Sequence, residues 1–493
     1  MSGLLLRGGL VFDGSGAEPV TADVLLADGR IAAVGRIESA DAPAMDCAGL
    51  AVAPGFIDGH SHSDLQVLEN RPEKSLQGVT TEVVGNCGFS AYPAPPDRRA
   101  LHEFANGILH GGDAWGWASA RDYLAEAGAR SRSGVASLVG HGTLRIAVPG
   151  YDLDVMCGLL DDALSEGACG FSTGLMYAPG ESAATEELES LCRVVARRGR
   201  IYTTHMRDYG FRLEEAVDEQ IELARQTGCR LQISHFQAVG EANWGRQGPA
   251  LDRIERAREQ GIDVAFDCYP YVAGSTVLTQ LLPQRALEGG IPGLLARLGD
   301  PAERPALARE TVAGMAHRWT DLFISAVATE RNRSAVGRDL QAIADERGVA
   351  PIDAVFDLLV EERGAVNMLE FNQSEANLRE TLTHPLANVI SDGFYVNGRP
   401  HPRLHGTFPQ LLGAVVREKR WMTLAEAVHK ITGRPADRFG LRDRGRIEPG
   451  LAADLVVFDP ERVGSPATYD HPEQAPLGIR RVLRAGQDLL PAA

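Results

Sequence analysis

His60, His62, Cys87, His141, His205, His235 and Asp392 are the residues whose types and settings in this sequence point to chemistry. Imidazole, thiolate and carboxylate are the groups that ligate zinc and similar borderline metals. His60 and His62 form an HxH pair in FIDGHSH. Alternate residues of a regular strand face the same side, so both rings could point to one place. Cys87 stands in GNCG, where glycines permit close backbone approach, and a bound metal would hold its thiol deprotonated. His205 ends IYTTH, His235 ends LQISH, and Asp392 ends NVISD before Gly393. Each also has a bland reading. HxH could be two solvated histidines, Cys87 a small buried hydrophobe, His205 and His235 satisfied core histidines, and Asp392 a helix cap. Position separates the set from its members, because every one of them closes a short apolar run.

Those runs are APGFIDGHSH, TTEVVGNCG, VASLVGHG, ACGFSTG, RIYTTHM, RLQISHF, DVAFDCYP and ANVISDG. Between them lie segments such as TEELESLCRVVARRG and RLEEAVDEQIELARQTG, with apolar residues at helical spacing. Eight strand–helix units predict an α/β fold, a (β/α)8 TIM barrel over residues 54–443. In such a barrel the C-terminal strand ends converge on one mouth, so residues hundreds of positions apart become neighbours. The stretch between the seventh and eighth strands, about 280–365, is much longer than the others and reads as an insertion able to cover that mouth. Both ends of the chain are strand-rich. VTADVLLADGRIAAVG carries a hairpin signal at Asp28-Gly29, and AADLVVFDP and RRVLRAG read as strands. Residues 1–53 and 444–493 are therefore expected to pair into one small β domain.

The bulk properties narrow the partners. A chain of 493 residues with 44% hydrophobic and 23% charged residues can build a large core without disulfides. A formal net charge of -17 argues against nucleic acid or an anionic membrane and leaves a small-molecule substrate. The seven cysteines have no paired spacing, and the opening MSGLLLRGGLVFDG is too short and interrupted for a signal peptide or a membrane span. A cytoplasmic protein is expected, with its oligomeric state left open.

The motifs PGFIDGHSHSD, GNCGFS, VGHGTLR, STGLMYAPG, THMR, ISHF, YPYVAGST, SDG and HPRLHGTFPQ, followed by GLAADLVVFDP, resemble the N-acyl-D-amino-acid deacylase (D-aminoacylase) family of the amidohydrolase superfamily over nearly the whole chain. Hydantoinases and dihydroorotases typically carry a carboxylated lysine after the fourth strand, and CGFSTG offers none. The resemblance implies a β-sandwich made by both termini. It implies a tightly bound zinc on Cys87, His205 and His235, and a second, weaker site lined by His60, His62 and Asp392 with Cys87 able to bridge. Tyr177, Tyr269, Ser275 and Arg403 would face the substrate, with His141 a less secure member. Gln237 departs from the pattern, because relatives commonly have a lysine there that helps bind the substrate carboxylate. Asp208-Tyr209 after THMR is a second departure.

The expected reaction is hydrolysis of the amide bond of an N-acyl-D-amino acid. Zinc would lower the pKa of a water, and Asp392 would take its proton and deliver it to the leaving nitrogen. Three rivals use the same fold. They are hydrolysis of another linear or cyclic amide (a dipeptide, lactam or hydantoin-like ring), deamination of a nucleobase, and a binding barrel without catalysis.

Overall fold

The structure, a computed structural model, describes residues 3–38, 40–111 and 115–490. All eight apolar runs form strands, and all pair in parallel. They are β1 (Phe56–Asp58), β2 (Val79–Val84), β3 (Gly134–Gly140), β4 (Gly170–Gly174), β5 (Ile201–His205), β6 (Arg230–Ile233), β7 (Val264–Cys268) and β8 (Ala387–Val389). These segments are buried nearly throughout, which explains why they read as continuous apolar runs and not as alternating patterns. The sheet closes between its first and last members. Asp392 N donates to His60 O at 2.9 Å, and His62 N donates to Gly393 O at 3.0 Å. The TIM-like barrel expected from the sequence is the fold observed.

The connecting helices bury one face each. In Thr185–Arg197 the buried residues are Leu188, Leu191, Cys192, Val194 and Val195, while Glu186 and Glu187 occupy its first turn, where the helix dipole favours acids. Strand–helix alternation breaks only after β7. There Ala273–Val277, Leu322–Val327 and Val366–Phe371 form an antiparallel sheet with its own apolar core around Leu294, Phe356 and Met368. The bounding strands lie just outside the 280–365 expected for the insertion.

The chain ends share one sheet. Leu4–Val11 pairs with Ala51–Pro54, which pairs with Leu455–Phe458 and through it with Ile479–Arg484. A bridge between Arg30 and Ala452 joins its far side, and Leu6, Val24, Leu455 and Leu483 fill the interior.

A buried ion pair clamps β1 to β8 under the barrel mouth. Lys74 meets the Asp58 carboxylate with side chains 3% and 0% exposed. The Ser391 N donates to Asp58 Oδ1 at 2.9 Å, and the Lys74 ammonium also reaches Ser61 Oγ at 3.2 Å. Breaking such a pair leaves an uncompensated buried charge, at a cost of about 3–5 kcal/mol. Lys74→Ala is therefore expected to lower the melting temperature by several degrees, whereas Arg99→Ala, at an exposed pair with Asp97, leaves it unchanged. Equal melting temperatures for Lys74→Ala and the parent chain would remove the clamp from this account.

Candidate metal centre and its cavity

Three of the candidate ligands leave their strands through strained backbone. Cys87, His235 and Asp392 have φ of 53°, 35° and 49°, the left-handed region that costs a non-glycine residue about 1–3 kcal/mol. Each is over-determined by neighbours. His235 N donates to Asp267 Oδ1 at 2.6 Å, and Phe236 N donates to Asp267 O at 2.8 Å. Asp392 is tied by the barrel-closing bond to His60 O. The Cys87 turn nests into β4 because Gly174 has no side chain: a Cβ there would stand 2.0 Å from Cys87 O. Gly88 N donates to Ser172 Oγ at 3.0 Å from the same turn. The local glycines thus serve close approach, as their spacing around Cys87 suggested.

These turns aim the side chains at one volume. Cys87 Sγ lies 3.3 Å from His60 Nε2 and 3.5 Å from His235 Nε2. Ligand atoms of Cys87, His205 and His235 all lie within 4.8 Å of one another, and so do those of His60, His62 and Cys87. Cys87 belongs to both groups. Asp392 Oδ1 lies 3.4 Å from His60 Nε2 and 3.3 Å from His62 Nε2.

The donor set fits a divalent metal. Both ring nitrogens of His205 are buried with no hydrogen-bond partner, and the same holds for Nδ1 of His62 and His235. Unpaired buried nitrogen is costly unless something else takes the lone pair. Burial drives His205 well below its ordinary pKa and His235 down to about 4, so both rings are the neutral species that ligates metals. Burial pushes the Cys87 thiol up, against the pull of His60; a divalent cation at this point makes the thiolate. Burial also acts to raise Asp392, but the Arg403 guanidinium and His60 outweigh it and hold the carboxyl well below its usual range.

Sequence reasoning missed Asp267. It lies on β7, one residue before the strand's end, with Oδ1 behind the ring at 3.5 Å from His60 Nδ1, near enough to favour its charged form but not aligned as a hydrogen bond. A carboxylate near a strand end was the available signal.

The ligands open into a cavity of about 200 Å³. Tyr177, Gln237, Tyr269, Ser275 and Arg403 line it with them. The Tyr177 ring packs edge-on to His205, with centroids 4.8 Å apart. Tyr269 Oη donates to Gln237 Oε1 at 3.1 Å. Arg403 is 1% exposed, with Nη1 2.9 Å from Asp392 Oδ2 (not aligned as a hydrogen bond) and Nη2 donating to Ser275 O at 3.2 Å. Its Nε has no partner.

His141 is placed differently from the substrate-facing position expected of it. It opens the helix His141–Ala147 behind the Tyr177 loop, and its Nε2 is taken by Glu187 Oε1 at 2.6 Å. Arg145 holds the same carboxylate through Nε and Nη2, each at 2.8 Å, and also donates to Ser182 Oγ in the loop. Glu187 and its two partners brace the loop that carries Tyr177.

Comparison with known proteins identifies the family. The model of an amidohydrolase family matches residues 44–489. An N-acyl-D-glutamate deacylase of Alcaligenes xylosoxydans xylosoxydans is 39% identical, covering 99% of this chain and 94% of its own length. The chain belongs to the amidohydrolase family. A D-aminoacylase of the same organism is 37% identical over 97% of this amidohydrolase and 92% of its own length. The crystal structure of N-acyl-D-glutamate deacylase from Bordetella bronchiseptica, complexed with zinc and a phosphonate mimic of the tetrahedral intermediate, superposes with a TM-score of 0.85 at 38% identity, covering 99% and 96% of the two chains. The D-aminoacylase resemblance read from the motifs therefore holds.

The brace behind the loop has a pH signature. Burial acts to raise Glu187, but His141 and Arg145 outweigh it and bring its pKa down to about 2. A depressed carboxyl stabilises the fold fully above its unfolded pKa of about 4.3, and that contribution is lost as pH falls towards the folded value. Hydrogen bonds to charged groups are worth about 1.5–3 kcal/mol. The melting-temperature gap between the parent enzyme and Glu187→Gln is expected to be widest at pH 7, narrower at pH 4 and narrower again at pH 3. A gap independent of pH across that window would contradict an ionised Glu187.

Proposed function

We propose that this amidohydrolase cleaves the amide bond of N-acyl-D-amino acids with zinc, releasing a carboxylate and a D-amino acid. The observation that carries the reading is the meeting, in one cavity, of the Cys87–His205–His235 donor set with Asp392 and a buried Arg403. The close likeness to deacylases of N-acyl-D-amino acids supports the substrate class and its configuration.

Cys87, His205 and His235 would hold the tight zinc, while His60, His62 and Asp392 would line a weaker second position to which Cys87 also belongs. Zinc supplies Lewis acidity, lowering the pKa of water towards neutrality and polarising the acyl oxygen. Asp392 is the general base. It is ionised, it stands at the mouth beside the two histidines that follow β1, and it can return the proton to the leaving nitrogen. The partnerless Arg403 Nε and the Tyr269 and Ser275 wall receive the substrate's α-carboxylate. Tyr177, whose ring packs edge-on to His205, presents its hydroxyl to the acyl oxygen. The insertion strands, one of which carries Ser275, wall part of the cavity and reduce access of bulk water. No helix among the described residues is long and apolar enough to cross a membrane, and the seven free cysteines suit a reducing compartment such as the cytoplasm.

Zinc-loaded enzyme is expected to release amine from N-acetyl-D-amino acids and not from the matched L series, across Met, Leu, Phe, Glu, Asp, Lys and Arg side chains. Turnover of the L series alone, or of neither, would sink the reading. Asp392→Asn is expected to lose about 10²–10⁴-fold in kcat, the usual worth of a positioned acid–base group. Metal analysis of that variant should still find the zinc held by Cys87, His205 and His235, and kcat near the parent value would show that the base lies elsewhere.

A further inference from the structure

The cavity is lined by two carboxylates that the reaction does not use, Asp208 and Glu370. Arg403 is the only lysine or arginine among the residues lining it, and that guanidinium is engaged with Asp392 and Ser275 O. Asp208 and Glu370 line the same cavity, and neither has a lysine or arginine within ion-pair distance among the described residues. Glu370 comes from the insertion strand Val366–Phe371. Its Oε1 accepts from Asn372 Nδ2 at 3.0 Å, and its Oε2 lies 3.3 Å from His317 Nε2. The His317 side chain is 8% exposed, and its Nε2 is not aligned to form a hydrogen bond with Glu370 or any other group. The hydrogen bonds of Asp208 run through Oδ1, which accepts from Gly210 N at 2.6 Å and Arg212 N at 3.2 Å.

Gly274 keeps open the space beside Glu370. A Cβ there would stand 2.9 Å from Glu370 Oε1 and 3.1 Å from Tyr269 Oη, so the two oxygens face each other across the space that one methyl group would fill. Tyr269 Oη reaches Gln237, the position at which a lysine was expected. Glu370 is therefore the next polar group beyond the wall that receives the α-carboxylate, about where an amino-acid side chain would extend.

We infer that this enzyme prefers N-acyl-D-amino acids whose side chain carries a cation, an ammonium or guanidinium held by Glu370 and Asp208. The inference rests on the deacylase reading and names its substrate class. Burial raises the Glu370 pKa, and only His317 and Arg403 act against it by charge, so a cation brought by the substrate supplies compensation that the protein lacks. Charge-assisted hydrogen bonds to a buried carboxylate are among the stronger polar contacts. A side-chain carboxylate would meet like charge there and find no second guanidinium. An apolar side chain would cover Glu370 and leave it unpaired, which is costly.

The test is steady-state kinetics on N-acetyl-D-lysine, N-acetyl-D-arginine, N-acetyl-D-leucine and N-acetyl-D-glutamate with zinc-loaded enzyme. For the parent chain, kcat/KM for the cationic pair is expected to exceed that for leucine and glutamate by roughly tenfold or more. In Glu370→Gln the lysine-to-leucine ratio should fall by a similar factor, mostly through KM, with zinc content and melting temperature held. Asp208→Asn should move the same ratio in the same direction and serves as the second variant. Leucine or glutamate as the best substrate, with a ratio that neither variant moves, would overturn this inference and leave the deacylase reading standing. Absence of turnover on every N-acyl-D-amino acid would overturn both.

Discussion

Barrel closure is the constraint on which the rest of this molecule depends. The bonds from Asp392 N to His60 O and from His62 N to Gly393 O join the first strand to the last. They also fix three of the metal-facing side chains relative to each other, across more than three hundred residues of chain. Parallel strands have no hairpin to set their register. The register here is set by buried apolar packing around the ring and by the Asp58–Lys74–Ser391 cluster beneath the mouth. A slip of one residue on β8 would turn Asp392 away from the cavity, because alternate side chains face opposite sides.

The second organising element is charge placed where water is scarce. Asp392 is kept ionised by Arg403 on one side and by two histidines on the other, and Arg403 is buried deeply enough that it needs that carboxylate as much as the carboxylate needs it. A buried carboxylate tends to be neutralised, and here the fixed guanidinium prevents it. Because Arg403 keeps a partnerless Nε, the same side chain can stabilise Asp392 and still have a donor to spare. The left-handed backbone at Cys87, His235 and Asp392 belongs to the same economy: local strain is held by neighbours so that ligands from three strands meet.

The insertion after β7 adds the wall that differs most from a plain barrel. Its three-stranded sheet has a separate apolar core, so the loops it presents to the cavity can vary while the barrel beneath remains fixed. Glu370 and His317 enter the cavity from that layer. The candidate ligands therefore come from the barrel strand ends, while part of the cavity wall comes from the insertion.

The barrel and the candidate ligands were legible in the sequence because both depend on local pattern. Each buried parallel strand is a short apolar run, and each candidate ligand closes one, so position alone nominates His60, His62, Cys87, His205, His235 and Asp392. The pairing of Cys87 with both donor groups, the bracing of His60 by Asp267, and the withdrawal of His141 behind Glu187 were not legible. Those depend on the direction of a side chain at a turn, which the left-handed φ at Cys87 and His235 sets and no spacing records. That Asp208 and Glu370 line one cavity was hidden for the same reason. Asp208 stood out only as a departure after THMR with no role attached to it, and nothing local distinguishes Glu370 from a surface acid in a chain rich in carboxylates. Composition and periodicity determine which elements form, because burial acts on each run by itself. Only the closed ring and the sheet folded over it decide which charges share one cavity, because that requires contacts between segments with no local relation.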